Sequence, residues 1–372
     1  MHILFAGGGT AGHINPALAI AGYIKQQNPD AKISYIGTAC NLEAKLVPAA
    51  GYDFYTIDVS GFQRKLTPKN LVKNVSAVKK AITSSIKAKK LLTELKPDVV
   101  IGTGGYVSGP VLREAAKLGI KTAIHEQNAF PGITTKALAP NVDRVMLAMP
   151  EAQKYIKMKG NPYEVGNPVR SELLETDRAE ARKKLGLDER PLILSFGGSL
   201  GARPLNEAIV GFIKTHNGTG QYYHIHATGK SGYAETKALI ESECGTLADE
   251  IELREYIDDM AVCMAAADLV ICRAGAITLS ELCVCGKASV LVPSPYVAEN
   301  HQFHNAMTLK NKGAAEIIEE KELTSAYLGE TVRSLLSDKE ALKTMSENAR
   351  KMSIPDSNRR IYDVIKELYE QN

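Results

Sequence analysis

The sequence predicts an α/β protein built from two doubly wound parallel sheets. Three observations carry that prediction. Apolar runs of strand length alternate with helical segments along the chain. Most of these runs are continuous rather than alternating, as strands covered on both faces must be. The scheme also occurs twice, which suits 372 residues better than a single domain of ordinary size.

Taken in order, strands of the first half are expected in "HILFAG" (2–7), "ISYIGT" (33–38), "FYTIDV" (54–59), "VVIGTGG" (99–105), "KTAIHEQN" (121–128) and "RVMLAM" (144–149). Those of the second half are expected in "PLILSFGGS" (191–199), "YYHIHATG" (222–229), "IELREYI" (251–257), "LVICRAG" (269–275), "ASVLVPS" (288–294) and "AAEIIEE" (314–320). The segments between them read as helices. A hinge is expected in "EVGNPVR", Glu164 to Arg170, where Gly166 and Pro168 punctuate the chain, dividing 1–166 from 167–354. After Pro355, "SNRRIYDVIKELYEQN" sets Ile361, Val364, Ile365 and Leu368 on one helical face behind Ser357 as its cap. This last helix, 355–372, is expected to pack back on the first domain.

Composition narrows the function. With 44% hydrophobic and 23% charged residues, the chain reads as globular with full cores. Six cysteines (40, 244, 263, 272, 283 and 285) show no zinc-type spacing and read as thiols of a reducing compartment. The opening "MHILFAGGG" is not a leader, and no run approaches the ~20 apolar residues of a membrane span. A cytoplasmic location without a spanning segment is therefore expected. The net charge of +3 hides an asymmetry: residues 1–166 carry 21 Lys/Arg against 11 Asp/Glu, and the remainder carries 24 against 31. No acid stands between Asp58 and Glu94, a segment holding Arg64, Lys65, Lys69, Lys73, Lys79, Lys80, Lys87, Lys89 and Lys90. Leu71, Val75, Val78 and Ile82 are interleaved at helical spacing.

Three strand–glycine–helix junctions stand out: "GGGTAGH" (7–13), "GTGGYVSGP" (102–110) and "GGSLGA" (197–202). Glycines let the backbone turn sharply and approach a ligand. The helix behind offers unpaired N–H groups and about half an elementary charge, so an anion such as phosphate is the natural guest. A dinucleotide site fits poorly, because no acid ends the second strand. No Gly-Lys-Ser/Thr follows any of the turns, which removes the P-loop reading. A fourth junction, "LVICRAGAITLSELCVCGK" (269–287), brings Arg273, Thr278 and Glu281 to a helix start. There a hydroxyl suits a phosphate oxygen and a carboxylate suits a ribose diol.

At these residues the chain resembles a known family. "GGGTAGHINPALAIA", "GTGGYVSGPV", "IHEQNAFPG", "GNPVR", "GGSLGA" and "CRAGAITLSEL…ENHQFHNA" together look like the MurG-type N-acetylglucosaminyltransferases of peptidoglycan synthesis. The resemblance runs from Ile3 to about Ala315. It implies the GT-B fold, two Rossmann-like domains facing a cleft. The implied reaction moves N-acetylglucosamine from UDP-N-acetylglucosamine to the 4-hydroxyl of N-acetylmuramic acid in undecaprenyl-diphosphate-muramyl-pentapeptide (lipid I). It inverts the anomeric centre and gives lipid II. The nucleotide sugar is a substrate, so no cofactor is expected.

Under that resemblance the second domain holds the donor. Ser199 meets the diphosphate, Arg273 and Thr278 stand near the phosphates, and Glu281 binds the ribose. Ile257 packs on the uracil, Gln302 contacts the sugar, and Asn305 supports that loop. The first domain holds the acceptor: Thr10, Gly12, Gly104 and Gly105 lie in diphosphate-cradling turns. Tyr106, Gln127, Asn128 and Arg170 match positions lining its site. His13 is the candidate base, since imidazole titrates near neutrality; Glu126 is the second candidate. A histidine that binds an acceptor phosphate or caps its own helix is the alternative. The pair His301 and His304 lacks an acidic or thiolate third ligand and no DxD-like sequence lies in a turn, so no metal site is expected. The acid-free segment is expected to bind anionic lipids of the inner leaflet, placing the protein peripherally at the cytoplasmic face of the cell membrane. Other wall-synthesis proteins are further expected partners, and nucleic acid is not. Ala11, Leu200 and His301 depart from residues common in the family. Other readings of the same fold are a UDP-sugar 2-epimerase, a diacylglycerol glucosyltransferase or a non-catalytic nucleotide-sugar-binding protein.

Overall fold

The computed structural model describes residues 1–59 and 83–371. The chain forms two compact units, Met1–Pro168 with Asp356–Asn372, and Val169–Pro355. Residues 60–82, which carry most of the acid-free segment, lie outside the described residues.

Unit 1 is built on strands β1 (His2–Gly7), β2 (Lys32–Gly37), β3 (Asp53–Thr56), β4 (Val99–Gly104), β5 (Lys121–Glu126), β6 (Arg144–Leu147) and β7 (Tyr163–Glu164). Its helices are α1 (Ala11–Gln27), α2 (Glu43–Ala49), α3 (described over 83–95), α4 (Ser108–Lys117), α5 (Ile133–Leu138) and, from the chain end, α15 (Ser357–Glu370). All seven strands run parallel in the order β3-β2-β1-β4-β5-β6-β7. Successive side chains leave a strand on opposite faces. Ile3 and Phe5 therefore join Ile14, Ile20 and Ile24 of α1 and Ile361, Ile365 and Leu368 of α15 in one core. Leu4 and Ala6 join Val111 and Leu112 of α4 and Leu92 of α3 in the other. Two buried faces explain why these strands read as unbroken apolar runs.

Unit 2 repeats the design with β8 (Leu192–Phe196), β9 (Tyr223–Ala227), β10 (Ile251–Arg254), β11 (Leu269–Cys272), β12 (Ala288–Leu291) and β13 (Glu316–Ile317). They too are all parallel, in the order β10-β9-β8-β11-β12-β13. Its helices are α6 (Glu172–Glu175), α7 (Arg178–Lys184), α8 (Arg203–His216), α9 (Tyr233–Glu243), α10 (Met260–Ala266), α11 (Ala276–Cys285), α12 (His301–Lys310), α13 (Ser325–Ser337) and α14 (Lys339–Lys351). Ile193, Leu205, Ile209, Phe212, Leu269, Ile271, Val290, Leu328 and Val332 form one core against α8 and α13.

A polar chain runs through unit 2. His216 Nδ1 lies 2.9 Å from the Phe212 carbonyl, and its Nε2 lies 3.3 Å from His224 Nδ1. His224 Nε2 and His226 Nδ1 each lie 2.8 Å from Ser195 Oγ. A carbonyl only accepts, so His216 Nδ1 carries hydrogen, its Nε2 accepts from His224, and His224 Nε2 accepts the Ser195 hydroxyl. The chain closes in this way with all three rings neutral. Burial holds His216 and His224 below the ordinary histidine range, with neighbouring rings adding to it at His224, and pushes His226 down to about 4.

Two local expectations change. A thirteenth strand, β7, pairs with β6 in a stretch too short for a periodic pattern. Ser357 is not the cap of α15. Asp356 occupies that position, without capping through its side chain, and takes Arg359 and Arg360 instead, while Ser357 is buried inside the first turn.

Candidate functional site

In each sheet the strand order reverses direction at one place: β1/β4 in unit 1 and β8/β11 in unit 2. Ligands of doubly wound sheets bind outside the carboxyl ends of strands at such switch points. All four glycine junctions lie there, two per unit. The helices behind them are α1, α4, α8 and α11. None of their N-cap residues, Thr10, Val107, Ala202 and Gly275, gives its helix a side-chain hydrogen bond, and no acid stands in their first turns. Side-chain caps are made at α7, α13 and α14 by Asp177, Thr324 and Asp338, whereas α2, α5, α6, α9, α10, α12 and α15 lack one just as the four switch-point helices do. Leaving a cap out costs a helix about 1 kcal/mol. What α1, α4, α8 and α11 have in particular is their place behind glycine turns at the two switch points, where their free N–H groups suit an anion.

In unit 1 the two turns touch. The β1/β4 register slips by one residue at Ala6/Gly7, which lets the strand ends diverge into separate turns. Gly104 and Gly105 adopt φ of 107° and 79°, which L side chains rarely tolerate. A Cβ on Gly105 would stand 2.3 Å from the Gly8 carbonyl oxygen, and one on Gly104 would stand 2.6 Å from Cδ2 of His13. The His13 ring thus lies on Gly104. Its Nδ1 is 3.1 Å from the Gly8 carbonyl oxygen and 3.3 Å from Thr10 Oγ1. Because the carbonyl only accepts, Nδ1 carries hydrogen and the neutral ring keeps its lone pair on Nε2. Gly12 is exposed on α1, and Tyr106 is exposed in the second turn.

The structure places the other acceptor-side candidates differently. The Glu126 carboxylate is buried and accepts from the Asn128 N–H, the Asn128 side-chain amide and the Gly132 N–H, each at 3.1 Å. It is engaged in ordering its own loop. Gln127 is buried and donates to His125, whose Nε2 donates to the Gly166 carbonyl. Arg170 lies in unit 2, away from the other acceptor candidates in the chain's division, and binds Glu281 through Nε and Nη2 at 3.1 and 2.8 Å.

In unit 2, Gly198 and Gly201 have φ of 93° and 84°. A Cβ on Gly201 would stand 2.1 Å from the Thr228 carbonyl oxygen, so the third turn rests backbone against backbone on the loop after β9. Ser199 is exposed at its tip. Thr278 and Glu281 both lie in α11, with Glu281 buried. Burial pushes the Glu281 carboxyl up and Arg170 opposes it. Arg273, expected near the donor phosphates, spends its guanidinium on Glu320 and, at 3.0 Å, the Val292 carbonyl. It therefore braces the ends of β11, β12 and the chain after β13. Ile257 is 3% exposed, so the residue is buried as a whole. Gln302 accepts from the Ser294 N–H at 2.9 Å, and buried Asn305 donates to the Ala274 carbonyl at 3.3 Å, tying α12 to the fourth turn. Just before α12, Glu299 and Asn300 both hold left-handed φ, 55° and 51°, a strained pair of the kind found at ligand clamps. His301 turns Nδ1 to the Ala298 carbonyl at 2.8 Å. Among the described residues no three His, Cys, Asp or Glu side chains converge on a metal position, and no helix is long and apolar enough to cross a membrane.

Two residues that sequence reasoning missed organise unit 1. Buried Ser108 lies 2.7 Å from the Ala6 carbonyl and 2.8 Å from the Gly104 carbonyl, and accepts from the Gly104 N–H at 3.2 Å, stitching the two strand ends together. Its place at the start of a helix after a glycine turn was the available signal. Glu43, the first residue of α2, reaches the first glycine turn from a remote part of the sequence. No local pattern announces it.

Residues 3–147 match the glycosyltransferase family 28 N-terminal domain, and residues 192–361 match the glycosyltransferase family 28 C-terminal domain. The chain is 47% identical, over 99% of its length and 98% of the relative, to the UDP-N-acetylglucosamine--N-acetylmuramyl-(pentapeptide) pyrophosphoryl-undecaprenol N-acetylglucosamine transferase of Acetivibrio thermocellus. It is also 47% identical to the protein of the same name from Ruminiclostridium cellulolyticum, over 99% of this chain and all of that one. Among solved structures, MurG of Acinetobacter baumannii superposes with a TM-score of 0.81 at 31% identity, covering 98% of this chain and 99% of that one.

Proposed function

The chain belongs to the MurG-type N-acetylglucosaminyltransferase family and has its GT-B fold, and on that premise we propose that it transfers N-acetylglucosamine from UDP-N-acetylglucosamine to lipid I, forming lipid II. The observation that carries this reading is the set of four glycine turns that each lead into a helix, two at the switch point of each sheet. A transfer from a nucleotide diphosphate sugar to a polyprenyl-diphosphate acceptor needs one diphosphate cradle for each substrate. An epimerase needs only one, so the pairing favours the transferase.

Unit 2 takes the donor. The third turn with Ser199 and the start of α11 with Thr278 receive the diphosphate, Glu281 takes the ribose, and the backbone at Ile257 reads the uracil. Gln302 meets the sugar from a helix that Asn305 holds. Arg273 serves by bracing the turn. Unit 1 takes the acceptor on Thr10, Gly12, Gly104, Gly105 and Tyr106, while Asn128 and Glu126 shape the neighbouring loop. Arg170 holds Glu281 in place.

Chemistry follows from His13. Nε2 takes the proton of the attacking 4-hydroxyl as its oxygen bonds to the anomeric carbon from the face opposite UDP. The bond from that carbon to the β-phosphate oxygen breaks, its electron pair leaves with UDP, and the configuration inverts. Backbone N–H groups and helix N-termini at the third and fourth turns stabilise the charge that develops on the leaving diphosphate. His13 then returns its proton to solvent. Turnover in the presence of a chelator is the expected result; complete loss restored by magnesium would place a metal in the reaction.

The lysine-rich 60–82 segment supports docking to anionic inner-leaflet lipids, since each Lys or Arg near such a surface contributes about 1 kcal/mol. Peripheral attachment there, beside other wall-synthesis proteins, would bring the site to its lipid-linked substrate. The decisive experiment offers the purified protein labelled UDP-N-acetylglucosamine and a short-chain lipid I analogue. Labelled disaccharide-lipid is expected. Free sugar or an epimerised nucleotide as the sole product would overturn the proposal.

A further inference from the structure

A second group belongs to the base. The Gly8–Gly9 peptide is engaged at both ends: its carbonyl lies 3.1 Å from His13 Nδ1, and its N–H donates to Glu43 Oε2 at 3.1 Å. Glu43 is fully buried, and its other oxygen accepts the Thr38 N–H at 3.1 Å and the Thr38 hydroxyl at 2.6 Å. Space for the carboxylate is cleared by glycines. A Cβ on Gly8 would stand 2.4 Å from Glu43 Oε1, and one on Gly37 would stand 2.6 Å from Glu43 Cγ. Burial opposes ionisation of Glu43, but the hydrogen bonds from Thr38 and Gly9 outweigh it and lower its pKa.

We propose that Glu43 is a positioning residue for His13, acting through the Gly8–Gly9 peptide as an intervening link. This rests on the reading of His13 as the base. Donating to an anion polarises the peptide, so its carbonyl becomes a stronger acceptor. That holds hydrogen on His13 Nδ1 and keeps the lone pair on Nε2. When Nε2 takes up a proton, the imidazolium still donates to a carbonyl that the Glu43 charge has made more negative. A carboxylate touching a catalytic histidine directly performs the same two tasks. Here the turn that faces the acceptor is interposed, so the conformation of the first glycine turn and the tautomer of the base are set together.

The test uses the full chain labelled with ¹⁵N-histidine, with the His13→Ala spectrum assigning the His13 signals. In the unsubstituted protein the Nδ1–H tautomer is expected to dominate; a dominant Nε2–H tautomer overturns the proposal without any variant at Glu43. In Glu43→Gln one amide NH₂ must face either the Gly9 N–H or the Thr38 N–H, and the charge is gone. We expect the tautomers to equilibrate and kcat to fall about tenfold, a fraction of what general-base catalysis supplies, with KM for UDP-N-acetylglucosamine unchanged. A folded Glu43→Gln protein with unsubstituted tautomer and kcat overturns the proposal. If His13→Ala keeps full turnover, the reading of His13 as base falls, while the tautomer measurement still decides whether Glu43 controls the ring.

Discussion

Acid should weaken unit 2 through its buried histidines. His226 sits at a pKa of about 4 because burial disfavours its charged form, whereas an unfolded histidine titrates near 6.5. Between those values the unfolded chain binds more protons, so stability is intact above pH ~6.5, falls as pH drops, and stops falling below about 4. At pH 5 the unfolded ring is about 97% protonated and the folded ring about 9%, which makes the cost of this one group roughly 2 kcal/mol. His216 and His224 act in the same direction. For a unit of this size 2 kcal/mol corresponds to roughly 4–8 °C in Tm. The assay is a set of thermal melts from pH 7.5 to pH 5 on the wild type and on His226→Asn, whose side-chain amide can keep the donor near Ser195 but does not titrate. The variant should be less stable at pH 7.5 and should lose several degrees less on acidification. Equal losses for the two proteins would refute the argument, because His226 would then not be the group being titrated.

Two other substitutions separate the units. Gly105→Ala forces a methyl to 2.3 Å from the Gly8 carbonyl at a φ of 79°; turnover with a lipid I analogue should fall at least about tenfold, given a strain of ~1–3 kcal/mol, while calorimetric UDP affinity stays constant. Gly201→Ala does the converse: its Cβ would stand 2.1 Å from the Thr228 carbonyl, so UDP affinity measured by calorimetry should weaken at least about tenfold on the same scale of strain.

Much of the architecture was legible along the chain. Strands buried on both faces are apolar at nearly every position, so the runs at Ile3–Ala6 and Leu192–Phe196, the second interrupted by the hydrogen-bonded Ser195, announced themselves. Glycine turns were legible for a related reason: a left-handed backbone at Gly105 or a backbone crossing at Gly201 excludes every other side chain. The short β7 and the cap of α15 were not, since two residues carry no period and both Asp356 and Ser357 are acceptable caps.

Partnerships across distance were hidden as well. The ion pair of Arg273 with Glu320 and the contacts of Glu126 with its own loop are written in neither local sequence. Sequence by itself determined the two sheets, the family and the glycine turns, because local backbone geometry and two-sided burial restrict which residues each position accepts. Only the tertiary structure decided which polar groups remain available for chemistry and which are consumed by a neighbour. A hydrogen bond such as Glu43 to Gly9 joins atoms 34 residues apart, and nothing in either local sequence requires the other.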